Sequence, residues 1–323
     1  MSGPSRIRTA DGWELAVTVH EARAPRAVVV LLHAMMVDAR SLDRPVGAGL
    51  ATTLAAAGLE VWRADLRGHG ASGPTPSERG RWSYDDLVRG DVPAIVAAAR
   101  ERGLPVAVVG HSLGGHVAAA AAAEGLGVDA LVLLAANVWL PSLDPSRRRR
   151  LAKELVIRSF EASVRPHGAF PSRLLRAGPA DESAAYVRDL CRFWREDRFA
   201  SADGADWLAG LREVRAPVLA VAGAGDRLFA HPEPFRRFCD AFPPGAVDFR
   251  VAREWDATHV GLACDPRSRP TWDAVARWLL GQLPPSSRGD HGIGAGARRL
   301  AGTSPSSVAP PGSGAPVQQS SWT

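Results

Sequence analysis

The chain has 323 residues, of which 46% are hydrophobic, so it can bury the core of one large or two smaller globular domains. Its formal charge is +5, and Lys153 is the only lysine among 39 basic residues. We attribute the excess of arginine and alanine to a GC-rich genome. We expect no nucleic-acid binding, because the sequence has no basic stripe interleaved with aromatic residues. The three cysteines (Cys191, Cys239 and Cys264) stand singly, a pattern that suggests neither a disulfide framework nor a zinc site. We therefore expect no metal and no cofactor.

The N-terminal segment gives no targeting signal. Residues 1–13 are polar, and the longest apolar run, around residues 27–37, is interrupted by His33 and is too short to span a bilayer. We expect a cytoplasmic protein without stable membrane insertion.

The first half of the chain alternates strand and helix patterns. Asp11-Gly12 between two short extended segments indicates a β-hairpin. Apolar runs at 27–32, 59–63, 105–109 and 128–135 are typical of parallel strands buried on both faces. Helical patterns lie between them, at 41–58, 84–102 and 117–124. This order predicts a doubly wound, mostly parallel α/β sheet.

The alternation stops at Trp139. From there to Val214 the sequence has no strand pattern but arginine-rich helical stretches with several aromatic residues. The sheet pattern resumes with strands at 217–222 and 246–251 and helices at 232–242 and 270–283. We therefore predict an α/β core at 1–138 and 215–283, a helical cap inserted at 139–214, and a disordered Ser/Gly/Pro-rich tail at 284–323.

The sequence Gly110-His-Ser-Leu-Gly114 follows the strand at 105–109 and precedes an alanine-rich helix. A G-x-S-x-G sequence between a strand and a helix is typical of a nucleophile elbow, in which a strained turn holds the serine at the strand's carboxyl end. Gly110 and Gly114 let the strand and the helix pass without collision. We predict Ser112 as the nucleophile.

A serine hydroxyl needs a base to accept its proton, and the base needs an acid to orient it. In elbow folds the acid and the base follow the serine in that order, each after a later strand. Asp226 lies in a Gly-rich turn after the strand at 217–222, and His259 lies in the loop after the strand at 246–251. We predict Asp226 as the acid and His259 as the base. Asp256 is a rival acid, but its position three residues before His259 favours a role in shaping the turn.

Two backbone N–H groups should hold the oxyanion. One is predicted to be the backbone N–H of Leu113, directly after the nucleophile. The other is predicted to be the backbone N–H of Met35, in the loop after the first parallel strand. His111 and His116 flank the elbow and are expected to pack or to form hydrogen bonds in loops.

These motifs resemble those of the α/β-hydrolase superfamily, of the capped serine hydrolase type. The resemblance spans about residues 27–262 and rests on Leu31-Leu-His33, Asp65-x-Arg-Gly-His-Gly-x-Ser72, Gly110-His-Ser-Leu-Gly-Gly115, Gly223-x-x-Asp226 and Thr258-His259. It implies structural roles for His33 and His69. The family usually has His-Gly at the oxyanion loop, whereas this chain has His33-Ala34.

The resemblance implies acyl chemistry, since a serine stands where related dehalogenases have aspartate. Our leading hypothesis is a serine hydrolase that cleaves a carboxylic ester of a small apolar substrate through an acyl-enzyme. The alternatives are a thioesterase, a C–C hydrolase, an aminopeptidase or a perhydrolase, and a non-catalytic binding protein on this fold. Arg147-Arg-Arg-Arg150 could meet an anionic membrane or an acidic substrate, but a solvated helix face is the commoner explanation. The oligomeric state is open.

Overall fold

The structure, a computed structural model, describes residues 5–283, so the predicted disordered tail at 284–323 lies outside the described residues. An eight-stranded sheet forms the centre of the molecule. Its strands are β1 (Ser5–Arg8), β2 (Glu14–His20), β3 (Val28–Leu32), β4 (Glu60–Ala64), β5 (Val106–His111), β6 (Ala130–Leu134), β9 (Val218–Gly223) and β10 (Val247–Ala252).

The strand order across the sheet is β1-β2-β4-β3-β5-β6-β9-β10. The hairpin of β1 and β2 is antiparallel and joins the edge of the sheet at β4, and the other six strands are mutually parallel. The predicted doubly wound, mostly parallel sheet is therefore confirmed. The carboxyl ends of β5, β9 and β10, which precede the three predicted catalytic residues, lie at one edge of this sheet.

Helices cover both faces of the sheet because alternate strand residues point to opposite sides. Val28, Val30 and Leu32 of β3 contribute to one apolar cluster, whereas Val29 and Leu31 contribute to the other. The helices are α1 (Leu50–Ala56), α2 (Tyr84–Asp86), α3 (Val92–Arg100), α4 (Leu113–Ala123), α5 (Arg147–His167), α6 (Ala184–Glu196), α7 (Trp207–Gly210), α8 (Pro232–Cys239), α9 (Gly261–Cys264) and α10 (Arg269–Gln282). A π-helical turn, Leu87–Asp91, joins α2 to α3.

The single helix predicted at 41–58 is wrong in its first half. A 3₁₀ turn, Ala39–Asp43, is separated from α1 by a non-helical segment that contains Pro45 and Gly47. Pro45 lacks the N–H that a helix interior needs, and Gly47 has a φ of 76°. The apolar periodicity therefore continues through a segment in which the helix is interrupted.

The segment 139–214 between β6 and β9 is mainly helical, and its two longest helices, α5 and α6, pack on each other. It also holds a hairpin of two-residue strands, β7 (Ala169–Phe170) and β8 (Glu182–Ser183), that the sequence pattern did not indicate. Such short strands carry no alternating pattern. The description of 139–214 as a separate cap stays a prediction.

The arginine run at the start of α5 is partly used inside the protein. Arg149 pairs with the buried Asp144 and with Glu233, and Arg150 donates to the Asp144 carbonyl. Lys153 also pairs with Asp144, at 2.9 Å, and both side chains are buried. These contacts favour a structural role for half of the run. Among residues 5–283, no helix is long and apolar enough to cross a bilayer.

Candidate active site

Ser112 lies in the sharp turn between β5 and α4. Its backbone has a φ of 51° and a ψ of −116°, a conformation that an L-residue adopts only under strain. Its N–H donates to the Leu134 carbonyl of β6 at 2.9 Å, and the Gly114 N–H donates to the His33 carbonyl at 3.1 Å. These bonds hold the turn against both neighbouring strands.

Two glycines make this turn possible. A Cβ on Gly110 would lie 2.3 Å from the backbone of Gly115, and a Cβ on Gly114 would lie 2.4 Å from the Leu32 carbonyl oxygen. Both obstacles are backbone atoms that cannot swing aside. The strand and the helix therefore pass as closely at these two glycines as the sequence predicted.

The structure brings Ser112, His259 and Asp226 into one hydrogen-bonded chain. His259 Nε2 lies 2.9 Å from Ser112 Oγ, and His259 Nδ1 lies 2.7 Å from Asp226 Oδ2. Asp226 is 2% exposed, and its carboxylate also accepts the N–H groups of Phe229 and Ala230, both at 2.9 Å. Burial raises the pKa of Asp226, but His259 and the N–H groups of Ala230 and Leu228 outweigh burial and leave the pKa below its ordinary value.

Neighbouring groups fix the loop that carries His259. His111 Nε2 donates to the His259 carbonyl at 2.9 Å, and burial lowers the pKa of His111 to about 3, so its ring is neutral. Phe229 stands beside the His259 ring, with 5.0 Å between centroids. Asp256 lies at the surface and faces Arg227 at 3.9 Å. The rival acid is therefore directed away from His259.

The loop after β3 presents a free donor. No acceptor among residues 5–283 is bonded to the backbone N–H of Met35 or of Leu113, which as the first residue of α4 has no intrahelical acceptor. His33 Nε2 accepts the Leu66 N–H at 3.1 Å, so its Nδ1 carries the proton and donates to the Ala34 carbonyl at 2.7 Å. This bond fixes the peptide unit that contains the Met35 N–H. The residue with positive φ in this loop is Met36, at 64°, so alanine at position 34 is not strained.

The segment 139–214 also holds this loop. Glu182 of β8 is buried and accepts the Met36 N–H through Oε1, which also lies 3.2 Å from His69 Nε2. The Ala180 N–H donates to the Met36 carbonyl at 3.0 Å. Burial lowers the pKa of His69, but the charge and hydrogen bond of Glu182 outweigh it and leave the pKa above its ordinary value.

A cleft of about 600 Å³ of empty space, counting its opening to solvent, lies over Ser112. Four polar residues line it, namely Ser112, His259, His116 and Asn137. The other lining side chains are hydrophobic: Met35, Val138, Trp139, Ile157, Phe160, Leu190, Phe193 and Phe229. Five of these eight come from the 139–214 segment.

The comparisons with known proteins agree with this fold. A family model described as "Serine aminopeptidase, S33" matches residues 23–255, which is most of the chain. The chain belongs to this family of α/β-hydrolases. Among curated proteins, none matches the sequence.

Solved structures of α/β-hydrolases resemble this one over almost their whole length. A monoglyceride lipase from Saccharomyces cerevisiae superposes with a TM-score of 0.62 at 16% identity, covering 88% of this chain and 97% of its own. An esterase from Exiguobacterium antarcticum gives 0.61 at 17% identity, covering 86% and 99%. A hydrolase from Pseudomonas aeruginosa gives 0.56 at 22% identity, covering 85% and 98%. At these identities the likeness shows the fold alone.

Three site features were not predicted from the sequence. Asn137 follows β6 as a single polar residue, Glu182 lies in a two-residue strand, and Tyr84 bonds to His116 from a distant helix. The one available hint was the position of Asn137 at the carboxyl end of a parallel strand, where α/β proteins place ligand-binding groups.

Proposed function

We propose that this α/β-hydrolase cleaves carboxylic esters of small, largely apolar substrates through an acyl-enzyme on Ser112. The observation that carries the proposal is the 2.9 Å contact of Ser112 Oγ with His259 Nε2, backed by Asp226 at 2.7 Å. A serine within hydrogen-bond reach of an oriented histidine has a base for its proton. Further support comes from the cleft that Ser112 lines, because most of its other lining side chains are hydrophobic.

In this proposal Ser112 Oγ attacks the ester carbonyl carbon while His259 Nε2 takes the hydroxyl proton. Asp226 holds the imidazole through Nδ1–H and stabilises the imidazolium. The carbonyl oxygen becomes an oxyanion that the N–H groups of Leu113 and Met35 receive, and each such donor is worth on the order of 10²–10³ in rate. Collapse breaks the C–O bond, and the leaving alkoxide takes the proton from His259.

The second half repeats these steps with water. His259 takes a proton from water, which attacks the acyl-enzyme carbonyl carbon. The second tetrahedral intermediate expels Ser112 Oγ, which recovers its proton from His259, and the carboxylic acid leaves. No group besides the triad and the two N–H donors is required.

The cleft lining favours an ester over a peptide, although the family description names an aminopeptidase. An aminopeptidase must bind a free α-ammonium group, which calls for a carboxylate in the cleft. Within the described residues, no Asp, Glu, Lys or Arg lines it. The similar structures that are named an esterase and a monoglyceride lipase lend further support.

The test compares three aryl substrates that share one acyl group: an oxygen ester, a thioester and an anilide. A separate set of aminoacyl anilides tests for aminopeptidase activity. We expect kcat/KM to be highest for the oxygen ester and turnover to be abolished in Ser112→Ala. Wild-type turnover of aminoacyl anilides above that of the ester would favour the aminopeptidase. Absence of turnover in every class would favour a non-catalytic binding protein.

A further inference from the structure

We infer that His116 and Asn137 together bind a hydroxyl group of the substrate, so that the enzyme selects esters that carry a hydroxyl beside the reacting bond. This inference rests on the proposed esterase function. It starts from two polar side chains in a cleft that is otherwise hydrophobic away from Ser112 and His259.

Asn137 is buried without partners. It is 6% exposed, and neither Nδ2 nor Oδ1 has a hydrogen-bond partner among residues 5–283. A buried amide that forms no hydrogen bond costs free energy, so such groups in proteins are normally satisfied by protein, ligand or water. Because Asn137 lines the cleft, a molecule bound there can supply the missing partner.

His116 supplies a second, oriented group. It is 9% exposed, and its Nδ1 lies 2.7 Å from the hydroxyl oxygen of Tyr84. Burial raises the pKa of Tyr84 well above its ordinary value, so this hydroxyl keeps its proton. Among the described residues it bonds to His116 alone, so it donates to Nδ1, which leaves the ring proton on Nε2. Burial lowers the pKa of His116 to about 3, so the ring is neutral and Nε2–H is a donor.

The backbone segments that carry the two groups are in contact. A Cβ on Gly115 would lie 2.3 Å from Cβ of Ala136, so α4 and the segment after β6 touch at these residues. His116 and Asn137 are the next residue of each segment. The same segments hold Ser112 and line the cleft beside it.

The chemistry of the pair fits a hydroxyl group. His116 Nε2–H and Asn137 Nδ2 donate, and Asn137 Oδ1 accepts. A substrate hydroxyl can accept from one and donate to the other. A carbonyl oxygen would leave Asn137 Oδ1 without a partner. A plain alkyl chain would leave His116 Nε2 and both amide atoms of Asn137 without partners. A charged group would meet no opposite charge.

The hydroxyl could belong to the acyl part or to the alcohol part of the ester. Two substrate pairs distinguish these sources. The first is p-nitrophenyl hexanoate against its 3-hydroxy derivative, and the second is propyl hexanoate against 3-hydroxypropyl hexanoate. In one of these pairs we expect kcat/KM of the wild type to favour the hydroxylated member by about 10- to 100-fold.

Asn137→Leu and His116→Phe should each reduce that preference to within about threefold of unity, while unsubstituted esters remain substrates. Asn137→Leu should also raise the Tm of the free protein, because it removes an unsatisfied buried amide. Ile95→Leu, a volume-conserving change of a buried apolar residue of α3 that does not line the cleft, is the control and should keep the wild-type ratio.

A wild-type ratio near one in both pairs, or a preference that survives both variants, would overturn the inference and leave the two groups as hosts of a bound water only. These outcomes require that esters are hydrolysed, so they are distinct from failure of the proposed function, in which no ester reacts.

Discussion

Met36, in the loop after β3, donates its backbone N–H to Oε1 of Glu182, which lies 146 residues further along the chain. The neighbouring N–H, that of Met35, is the proposed oxyanion donor. The segment 139–214 therefore contributes more than side chains that line the cleft, because the buried carboxylate of Glu182 fixes the conformation of the loop after β3.

Replacing Glu182 should consequently reduce the rate of the chemical step. In Glu182→Ala, Met36 loses its acceptor, and we expect kcat to fall by about 10- to 100-fold with a much smaller change in KM, because oxyanion contacts strengthen in the transition state. Glu182→Gln keeps an acceptor oxygen and should retain most of the activity. Steady-state kinetics on one p-nitrophenyl ester measure this. An unchanged kcat in Glu182→Ala would remove Glu182 from any positioning role.

The Glu182–His69 pair should also make stability depend on pH. The pKa of His69 is raised in the folded protein, so the pair's contribution is complete below about pH 6.5 and is lost as pH rises through the folded pKa. We expect the difference in unfolding free energy between wild type and Glu182→Gln to be largest below pH 6.5 and to shrink above it. Urea denaturation across pH 5–9 measures it, and a difference that grew with pH would contradict the assignment.

His111 should make the folded protein less stable as pH falls, which is opposite to the effect of the Glu182–His69 pair. Its pKa is lowered to about 3 by burial, so the unfolded chain binds one more proton than the folded chain between pH 6 and 4. This lowers the free energy of unfolding by about 1.4 kcal/mol for each unit of falling pH. We expect His111→Phe to show a slope smaller by about that amount when the urea denaturation is extended down to pH 4. An identical slope would show that His111 is already protonated in the folded protein.

The elbow glycines offer a matched pair of stability tests. Gly114→Ala would place a Cβ 2.4 Å from the Leu32 carbonyl oxygen, whereas a Cβ on Gly281, in α10, meets nothing within 4 Å. We expect Gly114→Ala to lower the unfolding free energy by about 1–3 kcal/mol or more. Gly281→Ala should raise it by up to about 1 kcal/mol. Equal effects of the two changes on Tm would contradict the close passage of strand and helix at the elbow.

The sequence predicted those features whose cause is local. Continuous apolar runs located the parallel strands, and G-x-S-x-G located the elbow because its steric demands fall within five residues. Asp226 and His259 could be proposed because each follows a strand in a fixed chain order. Glu182 and Asn137 were not predicted, since their surroundings come from segments far apart in the chain. The interruption of the helix before α1 was not predicted, because apolar periodicity takes no account of a proline and a glycine.

Covalent labelling of Ser112 tests the central claim most directly. The wild-type protein is treated with an alkyl fluorophosphonate, and the adduct is followed by intact mass and located by peptide mass analysis. We expect one adduct per chain, on Ser112, with none in Ser112→Ala and labelling slowed by at least about 10²-fold in His259→Ala, because the serine then lacks its base. Labelling of wild type no faster than of Ser112→Ala, or at an unchanged rate in His259→Ala, would contradict the account.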